Sequence, residues 1–200
     1  MGADRLIPPA GPPVGAQRGG LGPTGTGRLR HVTSAVRLEP MSESNLESLL
    51  SVAAAEAEPG DVMPPVEAPA GWSHARREAF REFHRASFGG LAGRTRTQMY
   101  AILVGGEVVG MIRMTCCDDP GTVETGLWLG RSARGQGIGS AALRGLLNEA
   151  AAAGMRRVLA TTTPHNSGAV SVLTQCGAKL REENGRTYAE ICLDSAPPVR

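Results

Sequence analysis

The chain has 200 residues, 41% of them hydrophobic and 20% charged, enough for one ordinary core, while 27 Gly and 14 Pro exceed the usual share of chain breakers and place part of the sequence outside that core. Lys and Arg number 21 against 19 Asp and Glu, a net charge of +2 that falls short of the basic excess of a dedicated nucleic-acid binder. No run of 18 apolar residues occurs and the N-terminal stretch lacks the apolar segment of a secretory signal, so the reading is a soluble, cytoplasmic protein with neither a membrane nor a nucleic-acid partner.

Residues 1–31 hold eight Gly and five Pro with few large aliphatic side chains, too little apolar surface to offset the entropy of ordering. They are expected to form a disordered leader; Leu6 stands where N-myristoylation needs Ser or Thr. Residues 194–200 read as a tail, leaving one domain over 32–193. Within it, 32–38 reads as a strand and 42–57 as a helix with Leu46, Leu49, Leu50 and Ala53 on one face. A Pro-rich loop over 59–71 precedes a second helix from Ser73, whose stripe is Ala79, Phe80, Phe83 and Ala86. Strands over 99–104 and 107–115 flank Gly105-Gly106, the punctuation of a two-residue hairpin. A strand over 123–129, a helix over 139–153 closed by Gly154, a strand over 157–162 and a helix over 167–176 closed by Gly177 follow. Two strands around Glu183-Asn184-Gly185 end the domain. The fold class is α/β, a mixed sheet flanked by helices. Cys116, Cys117, Cys176 and Cys192 have no metal-ligand spacing and read as free, mostly buried thiols, and no metal site is expected.

The segment that carries chemistry is Trp128-Leu-Gly-Arg-Ser-Ala-Arg-Gly-Gln-Gly-Ile-Gly-Ser140, a Gly-rich loop between a strand and an Ala/Leu helix. Unpaired N–H groups at a helix start, backed by the positive end of the helix dipole, bind phosphate, and glycines let it approach the main chain. Arg131, Arg134 and Arg144 add positive charge. Gly135, Gly137 and Gly139 lie two apart, which fits neither the GxGxxG of a Rossmann loop nor a P-loop's Gly-Lys-Ser/Thr. The spacing is Arg-x-x-Gly-x-Gly, and here the sequence resembles the acetyl-coenzyme A loop of the GNAT N-acetyltransferase superfamily. Glu124-Thr-Gly-Leu-Trp-Leu129 is similar to the E-x-G-Y-W-L strand of the branch with ribosomal-protein N-terminal serine acetyltransferases and aminoglycoside or other antibiotic acetyltransferases. Asn166 and Gly177 match that branch's Asn at the start of the next helix and Gly at its end.

The resemblance implies the GNAT fold, acetyl-coenzyme A as cosubstrate and acetyl transfer to a primary amine. It places the pyrophosphate on Gly135, Gln136, Gly137, Ile138, Gly139 and Ser140 beside Arg134, the pantetheine arm along Leu127, Trp128 and Leu129, and Asn166 on the far side of the coenzyme. The N–H near Leu129 would polarise the thioester carbonyl as oxyanion donor. Glu124 is the candidate base for the ammonium proton, or a structural partner of an arginine; His165 is either an assistant or an exposed loop residue. Leu173 stands where many members carry the Tyr that protonates the departing thiolate, and Ala178 where they carry Phe; Ser171 is the alternative donor, water another.

The acceptor stays open. Residues 41–70 contain Glu43, Glu47, Glu56, Glu58, Asp61 and Glu67 and no Lys or Arg, while 74–96 contain six Arg. If that acidic segment borders the acceptor site, as the resemblance implies, it favours a cationic small molecule such as an aminoglycoside; otherwise it is a solvated face. Asp118, Asp119, Glu182 and Glu183 add to the same sign. A peptide N-terminus is the rival acceptor, with Trp72 expected to narrow a small-molecule pocket. A coenzyme-binding module without activity is the reading of another class, and a homodimer is common among such folds.

Overall fold

The computed structural model describes residues 35–193, so the expected leader, the tail and the first residues of the first strand lie outside the described residues. Seven strands form one sheet: β1 (Val36–Pro40), β2 (Thr97–Val104), β3 (Glu107–Cys116), β4 (Thr122–Leu129), β5 (Arg157–Thr162), β6 (Lys179–Glu183) and β7 (Arg186–Cys192), in the order β1-β2-β3-β4-β5-β7-β6. Neighbours are antiparallel except β4 and β5. The helices are α1 (Glu43–Glu56), α2 (Pro59–Val62), α3 (His74–Arg85), α4 (Ile138–Ala152) and α5 (Ser167–Gln175).

Most elements begin and end within two residues of the sequence reading, and two differences have a local cause. The first strand continues to Pro40, which an edge strand tolerates because Pro40 pairs only toward β2 and its other side needs no ladder bond. The Pro-rich loop begins with the one-turn helix α2, whose Pro59 occupies the first turn, where a missing N–H costs nothing. The expected punctuation holds elsewhere. Gly105 and Gly106 have φ of +61° and +93°, the two left-handed residues of a type I′ hairpin, and Gly154 and Gly177 close α4 and α5 at +78° and +80°.

Alternation along the strands sends side chains to two cores. Tyr100, Ile102, Ile112, Met114, Val123 and Leu129 pack under α4 with Ala142, Leu143 and Leu146. Met99, Ala101, Leu103, Met111 and Trp128 pack on the other face with Leu46, Leu49 and Leu50 of α1 and Phe80 of α3. Each fully buried aliphatic or aromatic side chain there contributes roughly 1.5–3 kcal/mol.

The charge segregation seen in the sequence is explained by α1 against α3. Arg81 Nε donates to Glu47 at 2.6 Å and Arg85 Nε to Glu43 at 2.6 Å, and each arginine's bond is the main cause of the lowered pKa of its carboxyl partner. The buried His84 joins the α3 stripe. Its Nδ1–H donates to the Phe80 carbonyl at 2.8 Å, and burial pushes its pKa down to about 4. Of the four thiols, Cys192 is exposed and the others half-buried. Among the described residues no helix is long and apolar enough to cross a membrane, and no cluster of metal-ligating side chains occurs.

Candidate functional site: a cleft between diverging strands

β4 and β5 pair only from Thr122 with Arg157 to Glu124 with Leu159, although β4 runs on to Leu129 and β5 to Thr162. Past Glu124 the two strands part. β5 stays paired with β7 through Thr162, so the gap opens on the β4 side alone. β3 carries a bulge at the same end, where Leu103 pairs with Val108 and Ile102 with Gly110, and a bulge increases local twist.

The parted edge of β4 is a row of main-chain groups. Gly130 N–H donates to the Val109 carbonyl at 2.9 Å, and the Thr122 carbonyl accepts from Cys117, so the even-numbered residues aim their main chain at β3. Leu127 and Leu129, the odd ones, therefore aim theirs into the gap. The Leu129 carbonyl accepts from Arg134 Nε at 3.0 Å, which leaves the Leu129 N–H directed at the opening.

A cavity of about 470 Å³ fills the gap and passes through the sheet. On the α4 and α5 side it is lined by Gly137, Gly139, Ser140, Leu143, Asn166 and Val172; on the other it reaches Asp61, Val62, Met111, Arg113, Glu124 and Trp128. Both faces of β4 contribute because the missing partner strand leaves no backbone to close the sheet.

At the α4 mouth, none of the six main-chain N–H groups from Gly135 to Ser140 has an acceptor among the described residues. Gly135 and Gly137 have φ of +72° and +77°, and a Cβ at either would meet nothing within 4 Å, so the loop is open to a ligand. Six free donors at the start of a 15-residue helix are an arrangement that suits an anion. Gly139 is small for a different reason, since its Cβ would stand 3.0 Å from Val172 where α4 meets α5. The loop is held in place from α1: Glu56 accepts from Ser132 N–H at 2.7 Å and from its hydroxyl at 2.9 Å, which lowers the Glu56 pKa.

Of the residues singled out in the sequence, the cavity brings together Glu124, Leu127, Trp128, Leu129, Arg134, Gly135, Gly137, Gly139, Ser140, Asn166 and Ser171. Two of the set do not line it with their side chains. Gln136 turns outward, its Nε2 donating to the Ser132 carbonyl at 2.7 Å, and Ile138 is buried in the α4 core; each brings only its N–H to the loop. Ser140 Oγ donates to Gln175 at 2.7 Å, so its side chain braces α4 against α5. Asn166 caps α5, its Oδ1 accepting from Ala169 N–H at 3.1 Å. Ser171 Oγ accepts from Gln175 Nε2 at 3.0 Å, which leaves its own proton available. Leu173 is buried in the α4 core and offers no acid. His165 is exposed and outside the lining.

Trp72 is elsewhere as well. It packs edge-on against Phe80 at 5.6 Å and donates to the Ala57 carbonyl at 2.9 Å, so it supports α3 and does not narrow the cleft. The acidic expectations also change. Glu43, Glu47 and Glu56 are engaged as above, Glu58 lies 3.9 Å from Arg131, and Asp119 and Glu183 pair with Arg157 and Arg181. Of the acidic residues over 41–70, Asp61 alone lines the cavity.

Sequence reasoning missed Arg113, Val62 and Met111. Arg113 had a legible signal: an inward position of β3, alternating with Met111, holds a charge in an otherwise apolar run. Val62 and Met111 had none, because their place in the lining depends on how α2 sits over β3.

The acetyltransferase (GNAT) domain family matches residues 35–179. The chain belongs to the GNAT acetyltransferases. No curated protein matches its sequence. Among solved structures it is similar to RimJ of Mycobacterium smegmatis in complex with coenzyme A disulfide, at a TM-score of 0.65 and 22% identity over 81% of this chain and 84% of that one. RimL, a ribosomal L7/L12 alpha-N-protein acetyltransferase in complex with coenzyme A, gives 0.64 at 19% identity over 82% and 98%. The microcin C7 self-immunity acetyltransferase MccE, in complex with acetyl-CoA and AMP, gives 0.60 at 15% over 79% and 92%. At these identities the likeness to solved structures shows the fold.

Proposed function

We propose that this GNAT protein transfers acetyl from acetyl-coenzyme A to a primary amine inside the cleft between β4 and β5. The observation that carries the reading is the cleft itself: a six-donor anion site at one mouth, a free strand edge along the middle and a carboxylate at the far end. The coenzyme's pyrophosphate suits the N–H groups of Gly135 to Ser140, its amide-bearing arm suits the unpaired edge at Leu127 and Leu129, and Arg134 and Asn166 flank it.

When bound, acetyl-coenzyme A supplies an activated thioester: the C–N bond forms as the C–S bond breaks, and the sulfur leaves with the electron pair. The Leu129 N–H is positioned to donate to the carbonyl oxygen as negative charge grows on it. Glu124, on the opposite face of β4, takes the ammonium proton directly or through water and so frees the lone pair. Ser171, with its oxygen already accepting from Gln175, gives its proton to the departing thiolate and regains one, through water, from the second proton that the nitrogen sheds as the amide forms.

The ion pairs of α1 and α3 remove the argument for a strongly acidic approach to the cleft, and with it the support for a polycationic aminoglycoside. Glu124 and Asp61 are carboxylates enough for one ammonium group. The α-amino group of a peptide is the second reading, favoured by the likeness to RimL, an alpha-N-protein acetyltransferase. Thiol release from acetyl-coenzyme A, run against single amines, aminoglycosides and short peptides with free N-termini, tests the reading. Release with at least one amine, matched by N-acetylated product, supports transfer. Coenzyme A protection against thermal unfolding with no release on any amine marks a binding module instead.

A further inference from the structure

Arg113 stands in the acceptor half of the cleft without a salt-bridge partner among the described residues. Its Nη1 donates to Thr115 Oγ1 at 2.8 Å, its Nε is buried without a partner, and no carboxylate among the described residues lies within 4.0 Å of it. The guanidinium lies against Gly126, where a Cβ would come within 3.2 Å of Nε and 3.4 Å of Nη2, so a glycine in β4 makes the room it occupies. Thr125 Oγ1 donates to the Arg113 carbonyl at 2.8 Å and fixes the main chain beneath it. Half-buried and without a carboxylate partner, the arginine keeps desolvated donors unmet. Nη2 and the second proton of Nη1 have no acceptor among the described residues, and the side chain lines the cavity, so a ligand there can meet them.

The neighbour that matters is Glu124. In the β3–β4 register Arg113 faces Gly126 and Thr115 faces Glu124, so the guanidinium and the carboxylate are diagonal neighbours on one sheet face, and both line the cavity with Met111 and Trp128. Their charges feel each other, since Glu124 favours the Arg113 cation against its burial. No salt bridge joins them among the described residues, and both are open to the same cavity. Both side chains extend from that face into the same cavity, and an α-amino acid, whose ammonium and carboxylate groups are two bonds apart, presents both charges to them together.

We infer that the acceptor is an amine that also bears a carboxylate, of the α-amino-acid type, with the carboxylate held by Arg113 and the amine presented to Glu124. This rests on the amine-acetylation reading and narrows it. A planar guanidinium matches a carboxylate with two parallel N–H donors, while a neutral peptide carbonyl uses one and a polyamine none. Arg113 is thus a specificity-determining residue, and it would repel a polycation.

The test pairs each amino acid with the amine lacking its carboxylate, serine with ethanolamine and phenylalanine with phenethylamine, and adds each amino acid's amide. Thiol release gives kcat and KM for the wild type, Arg113→Lys and Arg113→Met. The expected result is a preference of roughly 10- to 100-fold in kcat/KM for the carboxylate-bearing member, expressed mainly in KM, partly kept by Arg113→Lys and erased by Arg113→Met. Equal turnover with and without the carboxylate, or preference for the amides, overturns the inference while leaving N-acetylation intact. A second readout does not depend on turnover. With coenzyme A bound, amino acids raise the unfolding temperature of the wild type and not of Arg113→Met, while coenzyme A alone stabilises both. If no amine supports release yet this Arg113-dependent shift is present, the transfer reading fails and the carboxylate site stands; no shift in the wild type overturns the site.

Discussion

Replacing Gly110 by Ala tests how closely the strand edge at Leu129 must be held. Gly110 pairs with Leu129 across β3 and β4. An added Cβ would lie against the Trp128 carbonyl oxygen, 3.0 Å from Leu129 Cα and 2.9 Å from Leu129 Cδ2. Carbon pairs sit best at about 3.5–4.0 Å, so the two strands must part by roughly 0.5–1 Å at the residue whose N–H is assigned to the thioester oxygen. Overpacking of this kind costs about 1–3 kcal/mol, which lowers Tm by roughly 2–12 °C in a domain of this size. A misplacement near 1 Å costs on the order of 100-fold in rate. The anion loop lies beyond Gly130 and is pinned separately by Glu56, so coenzyme A affinity is expected within a few-fold of wild type. Thermal unfolding with and without coenzyme A, followed by thiol release below the variant's Tm, separates the three effects. Gly60→Ala is the control, since a Cβ there meets nothing within 4 Å. A folded Gly110→Ala protein whose kcat stays within twofold of wild type refutes the role given to the Leu129 edge.

Glu124→Gln is expected to reduce turnover at neutral pH by about 100-fold or more with little change in coenzyme A affinity, and the loss should shrink as pH rises and the amine deprotonates by itself; a flat, wild-type-like pH profile excludes Glu124 as base. Asn166→Ala removes the α5 cap and should cost about 1 kcal/mol of stability together with some coenzyme A affinity, both read from thermal unfolding with and without the coenzyme. His84 is held neutral, with a folded pKa near 4 against 6.5 for the free side chain, so the unfolded chain binds more protons between those values. Stability is therefore intact above about pH 6.5 and lost as pH falls toward 4, by up to about 3 kcal/mol, and His84→Gln should flatten that part of the urea-denaturation profile. Glu43→Gln with Glu47→Gln should leave the acceptor KM within twofold, because those carboxylates serve α3; a marked rise in KM for a cationic acceptor would restore the acidic-approach account.

The geometry of the Gly135–Ser140 loop was legible in the sequence because it is local: a strand, three glycines two apart and an Ala/Leu helix define it without long-range contacts. The same holds for the hairpin at Gly105-Gly106 and the caps at Gly154 and Gly177. The strand edge at Leu127 and Leu129 was legible only through family resemblance, since no residue type announces that β5 will diverge after Leu159. The charge pattern was visible but ambiguous. Six carboxylates facing six arginines in sequence serve equally as an acidic mouth or as two helices tied together, and only the placement of Arg81 and Arg85 over α1 decided it. Trp72 was misplaced for a related reason: an aromatic in a loop packs where the nearest apolar face is, and here that face is Phe80.

The most direct measurement is amide hydrogen exchange of the whole chain with and without coenzyme A. Exchange at the N–H groups of Gly135 to Ser140 and at Leu127 and Leu129 is expected to slow when coenzyme A is added and to stay unchanged with NAD. Exchange that is unaltered at those positions, or slowed equally by NAD, would contradict the assignment of the cleft between β4 and β5 as the acetyl-coenzyme A site.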